Sequence, residues 1–231
     1  MNSILCTICM RSGSRGVKNK NMKLINGKPL MYYTIKQAVK SKIFDHIVVS
    51  TNSRKILKCA KSYGANGWFL RPKKLSSDSS SKVAVIKHAL LESEKHYNKK
   101  FNFIVDLDVT SPLRSITDVT KAFKFFIRKK SDILITGSRS KKNPYHNIVE
   151  IVNKKLQKVG RSKRKIFRRQ DAPKTYDLNA SIYIWKRKSL INQKPFFTSK
   201  TVLYEMPESR SIDIDSELDF KLVEFLLKKK K

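Results

Sequence analysis

Apolar positions along the chain switch repeatedly between strand and helix spacing. Residues 4–10 form a short, continuous apolar run of strand length. LMYYTIKQAVKS at 30–41 carries apolar residues at helical spacing and follows Pro29, a residue favoured in a helix's first turn. HIVVST at 46–51 predicts a second buried strand, and 53–63 a helix ended by Gly64. SSSKVAVIKHALLESEKHY at 79–97 predicts a long helix behind a serine-rich lead-in, and FNFIVDLD at 101–108 a third strand. Thr110-Ser111-Pro112 then breaks the chain before a helix over 116–129, and DILITGS at 132–138 gives a fourth strand. This alternation predicts an α/β domain with a mostly parallel sheet flanked by helices on both faces.

The rhythm changes after about residue 139. Residues 139–178 are basic and turn-rich, with short strand candidates near 147–152 and 156–159. They predict an excursion from the sheet, an arm or dimerisation element within a single domain spanning 1–231. NASIYIWKR at 179–187 returns to a strand pattern. SIDIDSELDFKLVEFLLKK at 211–229 predicts a strand end and then a helix, with Ser216 as N-cap and Asp219 at N3.

Composition narrows the class. With 40% apolar residues in 231, the chain can fill a real core. No apolar stretch approaches the ~20 residues of a membrane helix. MNSILCTICM at the N-terminus lacks a basic start and a small-residue cleavage site, so the expectation is a cytoplasmic protein without a membrane span. Three cysteines do not suit a disulfide scaffold. Cys6 and Cys9 form a CxxC, but in a strand residues three apart point to opposite faces; they read as small buried fillers, not a zinc or redox pair. The 51 Lys plus Arg against 18 Asp plus Glu give a formal charge of +33. Such charge can serve nucleic acid, yet the cations are spread over the whole chain and few aromatics interleave with them, which argues for solvated faces.

The candidate chemistry sits at predicted strand ends. ILCTICMRSGSRGVKNKN at 4–21 runs a strand straight into a loop with Gly13, Gly16, Arg11, Lys18, Lys20 and Asn21. Glycines let backbone N–H groups approach a polyanion and the cations neutralise it, so this loop is a phosphate-site candidate. Neither GxxxxGK[ST] nor GxGxxG occurs, which weakens P-loop and dinucleotide readings in favour of nucleotidyl transfer. Arg71-Pro72 and the serines of 75–81 offer a guanidinium and hydroxyls that can cap a helix or meet phosphate or sugar. Asp106 and Asp108 share a strand face and need a metal, cations or donors, with Arg114 one possible partner. Asp213 and Asp215 share a face opposite Ile212 and Ile214; paired carboxylates at a strand end suit Mg²⁺. Arg168, Arg169 and Gln170 precede the strand at Asn179, and arginine pairs recognise carboxylate or phosphate.

In this order the segments resemble the CMP-sialic acid synthetases (acylneuraminate cytidylyltransferases). The resemblance is carried by Arg11-Ser12-Gly13-Ser14-Arg15-Gly16 with Lys20-Asn21, Gly27-Lys28-Pro29-Leu30 and Phe44-Asp45-His46-Ile47-Val48-Val49-Ser50-Thr51. It continues through Arg71-Pro72, Thr110-Ser111-Pro112-Leu113-Arg114, Arg168-Arg169-Gln170, Asn179-Ala180-Ser181-Ile182-Tyr183 and Asp213-Ile214-Asp215, and spans nearly the whole chain. It implies a Rossmann-like nucleotidyltransferase fold, a homodimer, and transfer of CMP from CTP to a nine-carbon 2-keto acid sugar with release of pyrophosphate. It implies that Arg11, Gly13, Ser14, Lys20 and Asn21 hold the CTP phosphates and ribose, with Arg71, Ser80 and Ser81 helping, and that Arg11, Lys20 and Asp213 act in catalysis. It places Asp213 and Asp215 on Mg²⁺. On the sugar side it places Asp108, Thr110, Ser111, Arg114, Asn179 and Tyr183, with Arg169 and Gln170 reaching the acidic sugar from either subunit.

Two positions depart from the family's pattern. Asp108 stands where QPTSPLR has glutamine, and NASIY has lost the glycine of NGAIY. Both bear on which sugar is taken: a legionaminic-type acid fits as well as N-acetylneuraminic acid, and a cytidylyltransferase for the eight-carbon acid Kdo is the nearest alternative. A basic nucleic-acid-binding protein is the alternative from another class, and it has no need of Asp213 or Asp215.

Overall fold

The computed structural model describes residues 3–13, 16–160 and 168–229, without the side chain of Arg169. The first strand, β1 (Ile4–Cys9), is buried on both faces until Cys9 and apolar except for Thr7, as suits a central parallel strand. A 3-10 turn at 20–22 and the two-residue strands β2 (Leu24–Ile25) and β3 (Lys28–Pro29) lead into α1 (Leu30–Ser41). Then follow β4 (His46–Ser50), α2 (Arg54–Ser62), α3 (Lys82–Tyr97), β5 (Phe103–Leu107), α4 (Ile116–Arg128) and β6 (Ile133–Arg139). A hairpin of β7 (Val149–Val152) and β8 (Lys155–Lys158) precedes β9 (Tyr176–Lys186), α5 (Arg187–Ile191), β10 (Thr201–Glu205) and α6 (Glu217–Lys228).

The main sheet has six strands in the order β10-β6-β9-β5-β1-β4. All are parallel except β9, which runs antiparallel between β5 and β6. The chain leaves β1 toward one edge and β5 toward the other, so a crevice opens at their carboxyl ends, where α/β sheets bind ligands. Alternation along β1 divides the interior. Cys6 and Ile8 join α1, α4 and α6 on one face, while Leu5 joins α3 and Trp185 on the other. Cys6 and Cys9 accordingly lie on opposite faces.

Local signals behave as expected at several ends. Ser115–Asp118 and Ser216–Asp219 form full capping boxes at the starts of α4 and α6. Gly64 ends the α2 region at φ +102, a conformation that costs an L side chain strain. α3 begins at Lys82, three residues later than the serine run suggests, because Ser77, Ser79 and Ser80 bond one another in a turn.

Three features correct the sequence reading. β10 pairs in parallel with β6 at the sheet edge and was not anticipated. Residues 211–215 form no strand; a single ladder-like bond, Ile214 N to Thr110 O at 3.0 Å, holds them beside the end of β5. The strand expected to begin at Asn179 starts at Tyr176, inside the expected excursion. The remainder of that excursion leaves the sheet as β7 and β8, which pair with each other and expose Ile151 and Leu156. Residues 161–167 of it lie outside the described residues. No helix among the described residues is long and apolar enough to cross a membrane.

Candidate active site

The crevice at the ends of β1 and β5 is a cleft of about 300 Å³ whose lining includes Arg11, Gly13, Lys20, Asn21, Asp108, Thr110 and Asp215. Seven residues that sequence reading drew from three distant segments thus meet in one place. The first loop and the 211–215 segment are locked together. Lys20 Nζ donates to the carbonyl of Ile214 and stands 3.6 Å from the Asp215 carboxylate. Gly16 lies against the same segment, where a Cβ would overlap the Asp215 carbonyl oxygen. Here glycine is required for close approach. Asn21 is buried and donates to the Arg11 carbonyl at 2.9 Å, shaping the loop. The Arg11 guanidinium pairs with Asp78, which tethers the serine-rich turn over the loop. Ser14 and Arg15 lie outside the described residues.

The two aspartate pairs have different surroundings. Asp106 is buried and accepts from Thr7 Oγ1 at 2.7 Å. Lys82 Nζ lies 3.4 Å from Asp106 and 2.6 Å from Asp108, and 4.3 Å from the centre of the Tyr183 ring. Burial works to raise Asp108, but the charge and hydrogen bond of Lys82, with two bonds from Thr110, hold it down at about 2. Burial pushes Asp106 up, the Asp108 charge adds to this, and Lys82 opposes it. Between its two carboxylates, Lys82 keeps its proton more tightly than a free lysine despite burial.

Asp213 has no such partner. Its Oδ1 is buried without a hydrogen-bond partner. Burial pushes its carboxyl up to about 6, the Asp108 and Asp215 charges add to this, and Thr110 opposes it. Asp215 beside it is exposed. A partly desolvated carboxylate with one unpartnered oxygen, next to an open carboxylate, is a donor set that fits Mg²⁺, which takes one or two carboxylates and completes its shell with water and phosphate oxygens. Among the described residues no group of three metal-ligating side chains exists, so most of that shell would come from outside the protein.

Other expected site residues sit elsewhere. Arg114, expected on the substrate, is buried and turned inward. Its guanidinium donates to the Ser181 carbonyl at 2.6 Å, to Thr34 Oγ1 and to the backbone carbonyl of Asp108. Burial lowers it to about 10. It is therefore not the partner of the Asp106 and Asp108 carboxylates that the sequence offered. Ser111 and Asn179 are likewise buried and internally bonded: Ser111 donates to the Asn179 carbonyl, and Asn179 accepts from Thr136 and donates to Ser211. Arg71 is buried, with its donors committed to the Met10 carbonyl and Ser76 Oγ, so it pins the serine turn to the end of β1. Ser80 is used within that turn, whereas Ser81 at the start of α3 makes no capping bond and leaves the helix N-terminus open. Gln170 lines a separate polar cavity of about 300 Å³ with Arg139, Asn143 and Lys174. Sequence reading missed Lys82. Its signal was indirect: two same-face carboxylates on a buried strand demand a cation, and the first residue of a helix supplied it.

Residues 5–231 match the sequence profile of the family described as Cytidylyltransferase. The chain is 48% identical over 231 residues to the post-translational flagellin modification protein B of Campylobacter coli, covering 100% of this chain and 97% of that protein. It is 48% identical over 228 residues to the CMP-N,N'-diacetyllegionaminic acid synthase of Campylobacter jejuni, covering 98% of this chain and 96% of that one. In fold it is similar to a solved CMP:2-keto-3-deoxy-manno-octonic acid synthetase complexed with CTP, with a TM-score of 0.73, 13% identity and full coverage of both chains. A Rossmann-like sheet, a glycine and cation loop at the end of its first strand and a family match over nearly the whole length lead to one conclusion: the chain belongs to the cytidylyltransferase family and is a nucleotidyltransferase.

Proposed function

We propose that this enzyme activates a nine-carbon 2-keto acid sugar of the legionaminic or sialic type with CTP, giving the CMP-sugar and pyrophosphate. The observation that carries the reading is the cleft that brings Arg11, Lys20 and Asp215 together, with Asp213 two residues before Asp215, in a chain 48% identical to a CMP-N,N'-diacetyllegionaminic acid synthase. The anomeric hydroxyl gives up its proton to solvent as its oxygen bonds to the α-phosphorus of CTP, the bond from that phosphorus to the bridging oxygen breaks, and pyrophosphate leaves with the electron pair. Negative charge grows on phosphoryl oxygens, and fixed cations stabilise it. Arg11 and Lys20 supply those cations. The open start of α3 offers N–H groups to phosphate. Asp213 and Asp215 would hold Mg²⁺, which supplies Lewis-acid neutralisation of phosphate charge.

Pyrophosphate release with CTP and Mg²⁺ tests the reading across N,N'-diacetyllegionaminic, N-acetylneuraminic, pseudaminic and Kdo acids. Release with the first or second supports it. Release with Kdo alone, or none with CTP binding intact, overturns the sugar assignment. We also infer a homodimer, working in the cytoplasm where CTP is made. The support is the exposed β7–β8 hairpin and a mainly apolar concavity of about 550 Å³ lined by Ile135, Ile148, Leu178, Phe197 and Leu203. Sedimentation at a single species of about half the dimer mass would overturn the dimer.

A further inference from the structure

The proposed reaction gives no part to Lys82, yet this lysine pairs with Asp108, which lines the cleft, and with the buried Asp106. It is the first residue of α3 and spans two elements, reaching Asp106 and Asp108 at the end of β5 and lying over the ring of Tyr183 on β9. One ammonium between two carboxylates leaves a net charge of about −1 by simple count. Such a cluster repels the phosphates of CTP and the carboxylate of an acid sugar alike. What it can face is the uncharged, hydroxylated or acylamino part of the acceptor.

The hydrogen bonds at Asp108 say how. Oδ1 is filled by the backbone N–H of Thr110 at 3.2 Å and its hydroxyl at 3.0 Å. Oδ2 accepts Lys82 Nζ at 2.6 Å and has capacity for one more donor. The side chain keeps 23% of its surface open, and it lines the same cleft as Lys20 and Asp215. An ionised carboxylate only accepts hydrogen bonds, so its counterpart must be an N–H or O–H.

We infer that Lys82 is a positioning residue of the acceptor subsite: it fixes Asp108 as an acceptor-only wall that selects a sugar presenting hydroxyl or acylamino N–H donors, and it keeps the charged ends of both substrates on the Arg11–Lys20 side. This rests on the cytidylyltransfer reaction proposed above. Without the lysine, Asp108 loses the bond that orients Oδ2, and Asp106 is left buried beside it.

Steady-state kinetics with CTP, Mg²⁺ and N,N'-diacetyllegionaminic or N-acetylneuraminic acid tests this in wild type, K82M, D108N and the double variant. A charge-assisted contact corresponds to about a tenfold change or more. The sugar KM is expected to rise by that much in K82M and in D108N, with the CTP KM within about twofold and kcat falling less than the sugar KM rises. Adding K82M to D108N is expected to change the sugar KM by under about twofold, since both act on one contact. Unchanged sugar KM in the single variants, equal rises for sugar and CTP, or additive effects in the double variant would each overturn the inference. If K82M does not fold, D108N alone decides it by the same split. A wild type that releases pyrophosphate with neither acid overturns the proposed reaction and this inference with it; a wild type that does, with variants unaffected, overturns this inference alone.

Discussion

Asp106-Leu107-Asp108 and Asp213-Ile214-Asp215 have the same pattern, two aspartates flanking one apolar residue, and each brings its second aspartate to the same cleft, but the fold treats them in opposite ways. The first pair is completed from within. Lys82, Thr7 and Thr110 supply a cation and hydroxyls, and Asp108 is held at about 2. The second pair is left open. Asp213 has an orphaned oxygen and is pushed up to about 6, and the nearest cation, Lys20, has its ammonium on the Ile214 carbonyl and 3.6 Å from Asp215. Both pairs reach the same cleft, so location does not distinguish them. Internal compensation does: the first pair has its cation within the protein, whereas the second has a buried oxygen without a partner, which is the donor set proposed above for Mg²⁺.

The comparison breaks most sharply at Asp213. Asp213→Asn is expected to lower kcat/KM by about 10²–10³-fold, as loss of a group stabilising transition-state charge does. A variant with near wild-type turnover would show the open pair idle. Next in size, Lys82→Met leaves Asp106 buried and uncompensated, and is expected to cost about 2–4 kcal/mol in denaturant unfolding. An unchanged midpoint would mean that the first pair needs no lysine.

The third test reverses sign between activity and stability. The folded-state pKa of Asp213 lies near 6 against 3.8 for the free carboxyl, so the folded protein binds the extra proton between those values. This group therefore weakens the fold at pH 7 and ceases to do so as pH falls through 6 toward 4. In the absence of divalent cations, D213N is expected to be more stable than wild type at pH 7 by about 1–3 kcal/mol, with the gap closing by pH 4. Mg²⁺ should raise the melting temperature of wild type and not of D213N. A gap that widens in acid would refute the assignment. Smallest, Gly16→Ala must push the first loop off the Asp215 carbonyl. Its CTP affinity, read by calorimetry, is expected to fall about tenfold, roughly 1.4 kcal/mol, and an unaltered affinity would mean the loop adapts freely.

Much of this was legible in the chain. β1, α1, β4, β5 and β6 follow from runs of apolar residues and their spacing, and the Ser216–Asp219 box marks the start of α6. Arg11, Gly13, Lys20, Asn21, Asp108, Thr110 and Asp215 were drawn from separate motifs and share one cleft. β10 and the direction of β9 were not legible. Side-chain polarity records that a strand is buried, but not which way it runs or which neighbour it pairs with. Arg114, Ser111 and Asn179 misled for a related reason. A polar residue in a binding-loop motif looks the same in sequence whether it meets substrate or, as here, the carbonyls that hold the loop in shape.

The sequence by itself determined the class of site, strands ending in glycine, cation and carboxylate segments suited to a nucleotide, and in their order these segments resemble the cytidylyltransferases. Those properties are local, set by residue type and short-range spacing. Only the tertiary structure decided which charges are satisfied. Lys82 reaches Asp108 across 26 positions, Lys20 reaches Ile214 across 194, and Arg114 reaches Ser181 across 67. Whether an aspartate is paired within the protein or keeps an oxygen without a partner depends on burial and on which distant donor arrives within hydrogen-bond distance, and chain order does not encode that distance.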